Sequence, residues 1–288
     1  MNGILLAGGS GTRLWPNTQV TSKQLLPVYD KPMIYYSLTT LMLSGVRNVV
    51  LVTNQNHVSD FRSLLHDGSQ WGISISYEVQ DKPRGIADSF RLVPMEMRNQ
   101  PIALMLGDNF LYGTGLGLSL ENVYSNEGAL AFSYGVKNPE EYGVFSFNES
   151  GEISGIVEKP VKFVSSQAIP GLYYFDQNVF EIAANLVPSS RGELEITDVL
   201  REYLHRGLLK VKPLARGTSW LDTGSADSLL EASEFVRTIE KRQGLSIGSP
   251  DEVAYRMGLI STEHFSKLIG AMPVCSYKEY LQAILLTS

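Results

Sequence analysis

Short apolar runs alternate with helical stretches from Asn2 to Leu106, and that alternation leaves the chain few architectures. Asn2–Ala7 reads as a buried strand ended by Gly8-Gly9. Pro32 suits the first turn of a helix, Ile34, Leu38, Leu41 and Met42 repeat at helical spacing, and Gly45 is a natural stop. Val49–Thr53 reads as a second strand, Phe61–Leu65 as helix and Ile73–Val79 as an alternating strand. Ile86–Met97 predicts a helix bent or interrupted near Pro94. Ile102–Leu106 predicts a third buried strand, ending at Gly107-Asp108-Asn109.

Such a run of units imposes right-handed crossovers and an α/β fold with a doubly wound, mostly parallel, Rossmann-like sheet. Ligands of these sheets bind beyond the carboxyl ends of the strands, where both the glycine loop and Asp108 fall. The second half changes character. Val144–Phe147 and Ile153–Val157 flank Asn148-Glu149-Ser150-Gly151 as a hairpin, and Leu172–Phe175 and Leu209–Pro213 read as further strands. Together they predict antiparallel additions to the sheet. From Ser225 the chain turns helical. Ser249-Pro250-Asp251-Glu252 reads as a capping box with proline at the first helical position, closed by Gly258. Thr262–Gly270 and Tyr277–Leu285 complete a C-terminal helical cluster. The expected organisation is an α/β body over 1–240 with a helical extension over 241–288 packed on it.

Composition removes several classes of function. A formal net charge of -6 provides no global basic field, so nucleic acid is not an expected partner. Cys275 is the single cysteine, which excludes an intrachain disulfide, and no Cys/His set has zinc spacing. Ile4–Ala7 runs straight into glycines without the basic start of a signal peptide, and no segment is long enough to span a membrane. A cytoplasmic setting is the expectation.

The strongest local signal is Leu5-Leu6-Ala7-Gly8-Gly9-Ser10-Gly11-Thr12-Arg13-Leu14-Trp15-Pro16. Glycines let backbone N–H groups converge on an anion, and Arg13 adds planar donors for phosphate oxygens. A plain strand-to-helix turn also favours glycine, but Arg13 and Pro16 at fixed offsets favour phosphate binding. The dinucleotide fingerprint fails, because Leu14 stands where a third glycine belongs; a Walker loop fails, because Thr12-Arg13 follows Gly11. In Ser22-Lys23-Gln24-Leu25-Leu26-Pro27, Lys23 is suited to neutralise a leaving pyrophosphate, although a lone lysine is usually a solvated surface charge. Asp108, after a buried strand, and Asp222, in Trp220-Leu221-Asp222-Thr223-Gly224, are candidate ligands for Mg²⁺, which takes one or two carboxylates and completes its shell with phosphate and water. Either aspartate is also an ordinary turn residue. Glu158 and Lys159 in Val157-Glu158-Lys159-Pro160 suit sugar hydroxyls and a sugar phosphate, and equally an exposed ion pair on an edge strand.

In combination and order, Gly8–Pro16, Ser22–Pro27, Gly107-Asp108-Asn109, Glu158-Lys159-Pro160 and Trp220–Gly224 resemble the glucose-1-phosphate thymidylyltransferases of the sugar nucleotidyltransferase superfamily. The likeness continues through Tyr29–Tyr36, Asp67–Gly72, Arg191–Asp198 and Ala254-Tyr255-Arg256, and covers nearly the whole chain. The resemblance implies that Leu6, Gly8, Gly9, Gly11, Thr12, Arg13 and Gln24 line the nucleotide site, with Gln80 and Gly85 reading the pyrimidine. It implies a catalytic set of Arg13, Lys23, Asp108, Lys159 and Asp222, with Mg²⁺ on the two aspartates. Asn109, Gly143, Glu158, Lys159, Ile169 and Trp220 would hold the sugar phosphate, in the antiparallel additions. A homotetramer, inhibited by a downstream dTDP-sugar, is implied as well. Two departures stand out. Asp81 replaces a proline of the family's base-reading loop, and Lys278 replaces a glycine near the C-terminus.

The reaction so implied joins dTTP to glucose 1-phosphate by direct in-line displacement, giving dTDP-glucose and pyrophosphate. Two alternatives remain: the same chemistry with UTP or another sugar 1-phosphate, and a non-catalytic sugar-nucleotide-binding subunit on the same fold.

Overall fold

The computed structural model describes residues 1–9, 11–113, 120 and 122–287. Asn2–Ala7 lies inside the main sheet, parallel to Asn48–Thr53 on one side and to Ile102–Leu106 on the other. Ser74–Val79 adds a further parallel strand beyond Asn48–Thr53. Ile4, Leu5, Ala7, Val50, Leu51 and Val52 are fully buried, as strands covered on both faces must be. Successive side chains alternate between the two faces. On one face, Leu5, Leu51 and Met105 pack with Ile34 and Leu38 of the helix Met33–Leu43 and with Phe265 and Leu281 of the C-terminal helices. On the other face, Ile4, Val50 and Leu104 meet Phe90, Val179 and Val199. The C-terminal helices therefore share a core with the first strand.

Past Ile102–Leu106 the sheet continues antiparallel through Leu172–Phe175 and Ala129–Gly135 to Gln167–Ala168 and the hairpin Gly143–Phe147/Ile153–Glu158. Leu209–Pro213 departs from the antiparallel expectation and runs parallel to Ala129–Gly135. The cause is the pair of helices Asn178–Asn185 and Ile196–His205, which carry the chain out and back. Phe175 and Leu209 both stand opposite Ala129, so the chain re-enters the sheet at the end where it left.

Other expectations are corrected locally. Ile86–Met97 is three short pieces, Ile86–Asp88, Ser89–Leu92 and Met95–Met97, because Pro94 forces Val93 into extended backbone. Pro32 caps its helix from outside, one position before the first turn, because its extended backbone pairs with Pro27. Ser249 Oγ accepts from Glu252 N at 3.2 Å, but Glu252 does not close the box; its carboxylate binds Arg256 Nε and the Tyr280 hydroxyl. No helix among the described residues is long and apolar enough to cross a membrane.

Phe265 is fully buried and stacks on Tyr255 with ring centroids 4.4 Å apart. Phe265→Ala is expected to lower the unfolding free energy by about 3–5 kcal/mol, measured by urea denaturation. A surface-like loss of a few tenths of a kcal/mol would contradict the shared core.

Candidate active site

The first strand ends where a second strand comes closest. Gly107 N donates to Leu6 O at 2.8 Å, and a methyl group on Gly107 would lie 2.8 Å from that same oxygen. Only glycine permits this approach. It sets Asp108 beside the glycine loop at the carboxyl ends of the parallel strands. In that loop Gly11 adopts a left-handed φ of 60° and leads into the short turn Thr12–Leu14; Ser10 lies outside the described residues.

Asp222 arrives from the far side of the chain. Asn109–Tyr112 pairs antiparallel with Ser219–Asp222, which puts Asp222 opposite Asn109. Thr223 fastens the junction, because its N and its Oγ1 both donate to Asp108 O, at 3.2 and 2.8 Å. The two aspartates thus converge. Arg13 joins them: a methyl group on Gly224 would sit 2.8 Å from Arg13 Nη2 and 3.3 Å from Asp222 Oδ1. Lys23 is only 6% exposed and its Nζ donates to Asp108 Oδ2 at 2.7 Å, so it is no solvated surface lysine.

The electrostatics are uneven. Burial and then the charge of Asp108 push the Asp222 carboxyl up to about 6, against Lys23 and Arg13. Burial also works against the charged form of Asp108, but Lys23 and a hydrogen bond from Asn109 outweigh it and hold that carboxyl below the usual range. Two carboxylates facing one cavity, one of them raised by the other, suit a hard divalent cation that takes its remaining ligands from phosphate and water. Among the described residues no group of three or more His, Cys, Asp or Glu is placed to hold a metal ion.

Arg13, Asp108 and Asp222 line a cavity of about 160 Å³. Asn109, Gly143, Glu158, Lys159, Ile169 and Trp220 line it too. Asn109 acts from within: its Oδ1 accepts from Gly171 N at 2.9 Å and from Trp220 Nε1 at 2.7 Å, while its Nδ2 donates to Asp108 Oδ1 at 3.0 Å. Glu158 Oε2 accepts from Thr197 Oγ1 at 3.1 Å. Burial, then the charge of Glu195, raises the Glu158 carboxyl, with Thr197 and Arg191 opposing. Lys159 has an exposed side chain and a left-handed φ of 40°, and its N–H is tied to Tyr142 O at 3.0 Å. A non-glycine residue held there carries about 1–2 kcal/mol of strain, which the surrounding sheet must sustain.

The remaining candidates sit around the glycine loop. A methyl group on Gly8 would come within 3.2 Å of Gln80 Oε1. Gly85, at φ 102°, lies against the Leu194 backbone, where a methyl group would meet Leu194 O at 2.4 Å. One on Gly9 would stand 4.0 Å from Gln24 Nε2. Of the nucleotide-site candidates Arg13 lines the cavity, whereas Leu6, Gly8, Gly9, Gly11, Thr12, Lys23, Gln24, Gln80 and Gly85 do not; Leu6 is packed in the core beneath the loop and Gln24 accepts from Ser22 Oγ. The cavity also recruits Glu141, Tyr142, Arg191, Glu195 and Thr197, for which sequence reasoning assigned no role. The charged run 191–198 was the available signal, and only its meeting with Glu158 gives it a place.

A cavity at the carboxyl ends of parallel strands, where two converging aspartates meet Arg13 and Lys159, belongs with proteins that handle nucleotides and phosphate esters. The chain belongs to the nucleotidyl transferase family, whose model matches residues 2–239. Among curated relatives, a glucose-1-phosphate thymidylyltransferase of Mycobacterium tuberculosis strain H37Rv is 51% identical over 285 residues, 99% of either chain. One from Neisseria meningitidis is 47% identical over 286 residues, again 99% of each. A crystal structure of a provisionally assigned glucose-1-phosphate thymidylyltransferase from Bacillus anthracis, in complex with a sucrose, aligns with a TM-score of 0.75 at 38% identity, covering 82% of this chain and 95% of that one. UDP-glucose pyrophosphorylase complexed with UDP-glucose shares the fold, with a TM-score of 0.70 at 24% identity, covering 82% and 98%.

Asn109 is 4% exposed and satisfies two buried donors at once. Asn109→Ala orphans both, and is expected to cost about 2–5 kcal/mol of stability, read as a lower urea midpoint. An unchanged midpoint would mean that Gly171 N and Trp220 Nε1 have other acceptors.

Proposed function

We propose that this chain transfers the thymidylyl group of dTTP to glucose 1-phosphate, releasing pyrophosphate and dTDP-glucose, with Mg²⁺ held by Asp108 and Asp222. The observation that carries the reading is the convergence of these two carboxylates beside Arg13 and Lys23, at the mouth of a cavity whose other end offers Glu158 and Lys159. The near full-length likeness to glucose-1-phosphate thymidylyltransferases supports the choice of substrates.

When bound, Mg²⁺ supplies charge neutralisation at the phosphates of the nucleotide. The chain's own groups do the rest. Gly8, Gly9, Gly11 and Thr12 present backbone N–H groups to the triphosphate. Lys159 aligns the sugar phosphate, and Glu158 accepts from sugar hydroxyls. A sugar-phosphate oxygen then forms a bond to the α-phosphorus, and the bond to the bridging oxygen of pyrophosphate breaks in line with it. The electron pair departs with pyrophosphate, where Lys23 meets the charge. Arg13 stabilises the negative charge that builds on the transferring group. The attacking oxygen is already anionic, so orientation and electrostatics provide the catalysis. Asp108, Asp222, Lys23 and Lys159 are all present, which argues against a non-catalytic binding subunit.

The same resemblance extends the proposal to a cytoplasmic homotetramer under feedback by a dTDP-sugar, with 241–288 as an extension of the catalytic body; light scattering on the purified protein reads the assembly. Asp108→Asn and Lys159→Ala are expected to fold normally and to turn over roughly a hundredfold more slowly. Pyrophosphate release at limiting Mg²⁺ and subsaturating substrates measures this, and wild-type turnover in either variant overturns the assignment. A panel of dTTP, UTP, CTP, ATP and GTP on the wild-type protein is expected to rank dTTP first, and a stronger response to another nucleotide would replace the proposed substrate.

A further inference from the structure

Asp88 is a buried charge without an evident structural task. It is 6% exposed and stands at the N-cap of the short helix Ser89–Leu92, yet its side chain accepts no hydrogen bond from that helix. Arg91 Nη1 is 3.9 Å from its Oδ1, too far for a hydrogen bond. Its one hydrogen-bond partner among the described residues is Gln80, whose Nε2 donates to Asp88 Oδ2 at 2.9 Å. Burying a carboxylate for a single such contact is costly unless the contact has a use.

The contact decides which way a carboxamide faces. A glutamine amide offers a donor end and an acceptor end that are nearly the same shape. Gln80 Nε2 faces Asp88 Oδ2 and, at 3.4 Å, Gly85 O. A carboxylate and a backbone carbonyl accept and do not donate. The NH₂ end is therefore committed to them, and the oxygen is turned the other way. Gln80 Oε1 points towards the glycine loop, on the side of Gly8, and no described residue donates to it. The site therefore shows an incoming base a fixed acceptor.

We infer that Asp88 is the positioning residue that locks the Gln80 amide with its oxygen towards the base, and that this lock selects thymine or uracil over cytosine. The inference rests on the proposed nucleotide transfer and deepens it. Thymine and uracil carry a ring N3–H that donates to such an oxygen. Cytosine carries a bare acceptor at N3, which would face Gln80 Oε1 lone pair to lone pair. With a freely turning amide, either base could be met. With Asp88 in place, cytosine leaves two acceptors in contact and unpaired, the kind of mismatch from which hydrogen-bonding sites draw their strongest rejections.

The test is calorimetric titration of dTTP and of CTP, with Mg²⁺, into the intact wild-type protein and into Asp88→Ala and Asp88→Asn. The wild-type protein is expected to prefer dTTP. Asp88→Ala is expected to lower the dTTP-to-CTP affinity ratio roughly tenfold, the worth of about one hydrogen bond. Asp88→Asn can still offer Gln80 an oxygen and retains more of the ratio. A purely structural role would weaken both nucleotides alike, and an unchanged ratio in Asp88→Ala overturns the inference. Should Asp88→Ala not fold, Asp88→Leu, which likewise accepts nothing from Gln80 and is close to aspartate in shape, is read in its place: an unchanged dTTP-to-CTP ratio overturns the inference, and a lowered ratio upholds it. Pyrophosphate release from dTTP and glucose 1-phosphate is read on the same wild-type sample. Its absence sinks the proposed transfer, whereas the binding ratio judges Asp88 by itself.

Discussion

Everything in the site hangs on the clasp between Thr223 and the Asp108 carbonyl. Asp108 follows a strand of the main sheet, whereas Asp222 ends a strand of a separate two-stranded ribbon. Without a fastening, the ribbon would be free to slide or splay, and a one-residue slip would turn Asp222 to the opposite face. Two hydrogen bonds from one residue to one backbone oxygen remove that freedom. Trp220 adds a second fastening through Asn109, two residues before Asp222. Like-charged carboxylates repel, so their proximity has to be imposed by backbone and by buried polar contacts.

Much of the architecture is written in local pattern. The strands Asn2–Ala7, Ile102–Leu106 and Leu172–Phe175 announce themselves through apolar runs between breakers, and Leu209–Pro213 through alternation. The helices from Ser225 onward announce themselves through caps. Direction in the sheet is less visible. Leu209–Pro213 runs parallel to its neighbour because two helices precede it, whose apolar spacing (Val179, Ile182, Ala183; Ile196, Val199, Leu200, Tyr203) the strand-by-strand reading passed over. The segment Ile86–Met97 has the apolar content of a helix, but Pro94 breaks it, and the break leaves Asp88 buried at the start of a helix of a single turn.

The site was legible as a set of types and not as a set of contacts. Asp108, Arg13, Lys159 and Asp222 carry recognisable neighbourhoods, and the fold brings them to one cavity. Asn109 had been assigned to a ligand, yet most of its bonding capacity is spent on Trp220, Gly171 and Asp108. Thr197 and Glu195 lie in a charged run that marks the region, but their importance lies in what they touch, and Glu158 is far away in sequence. Asp88 is the same case: nothing in its immediate neighbours along the chain says that its partner is a glutamine eight positions earlier, just past the strand Ser74–Val79.

The shared core has a bearing on how the protein is made. Every residue assigned to the cavity is made before Phe265, Ile269, Leu281 and Ile284, which cover one face of the central strands. Domains mature as whole units during synthesis. The nascent chain therefore carries these chemical groups on a sheet with one greasy side still open to water until the helices Thr262–Ala271 and Ser276–Thr287 lie down on it.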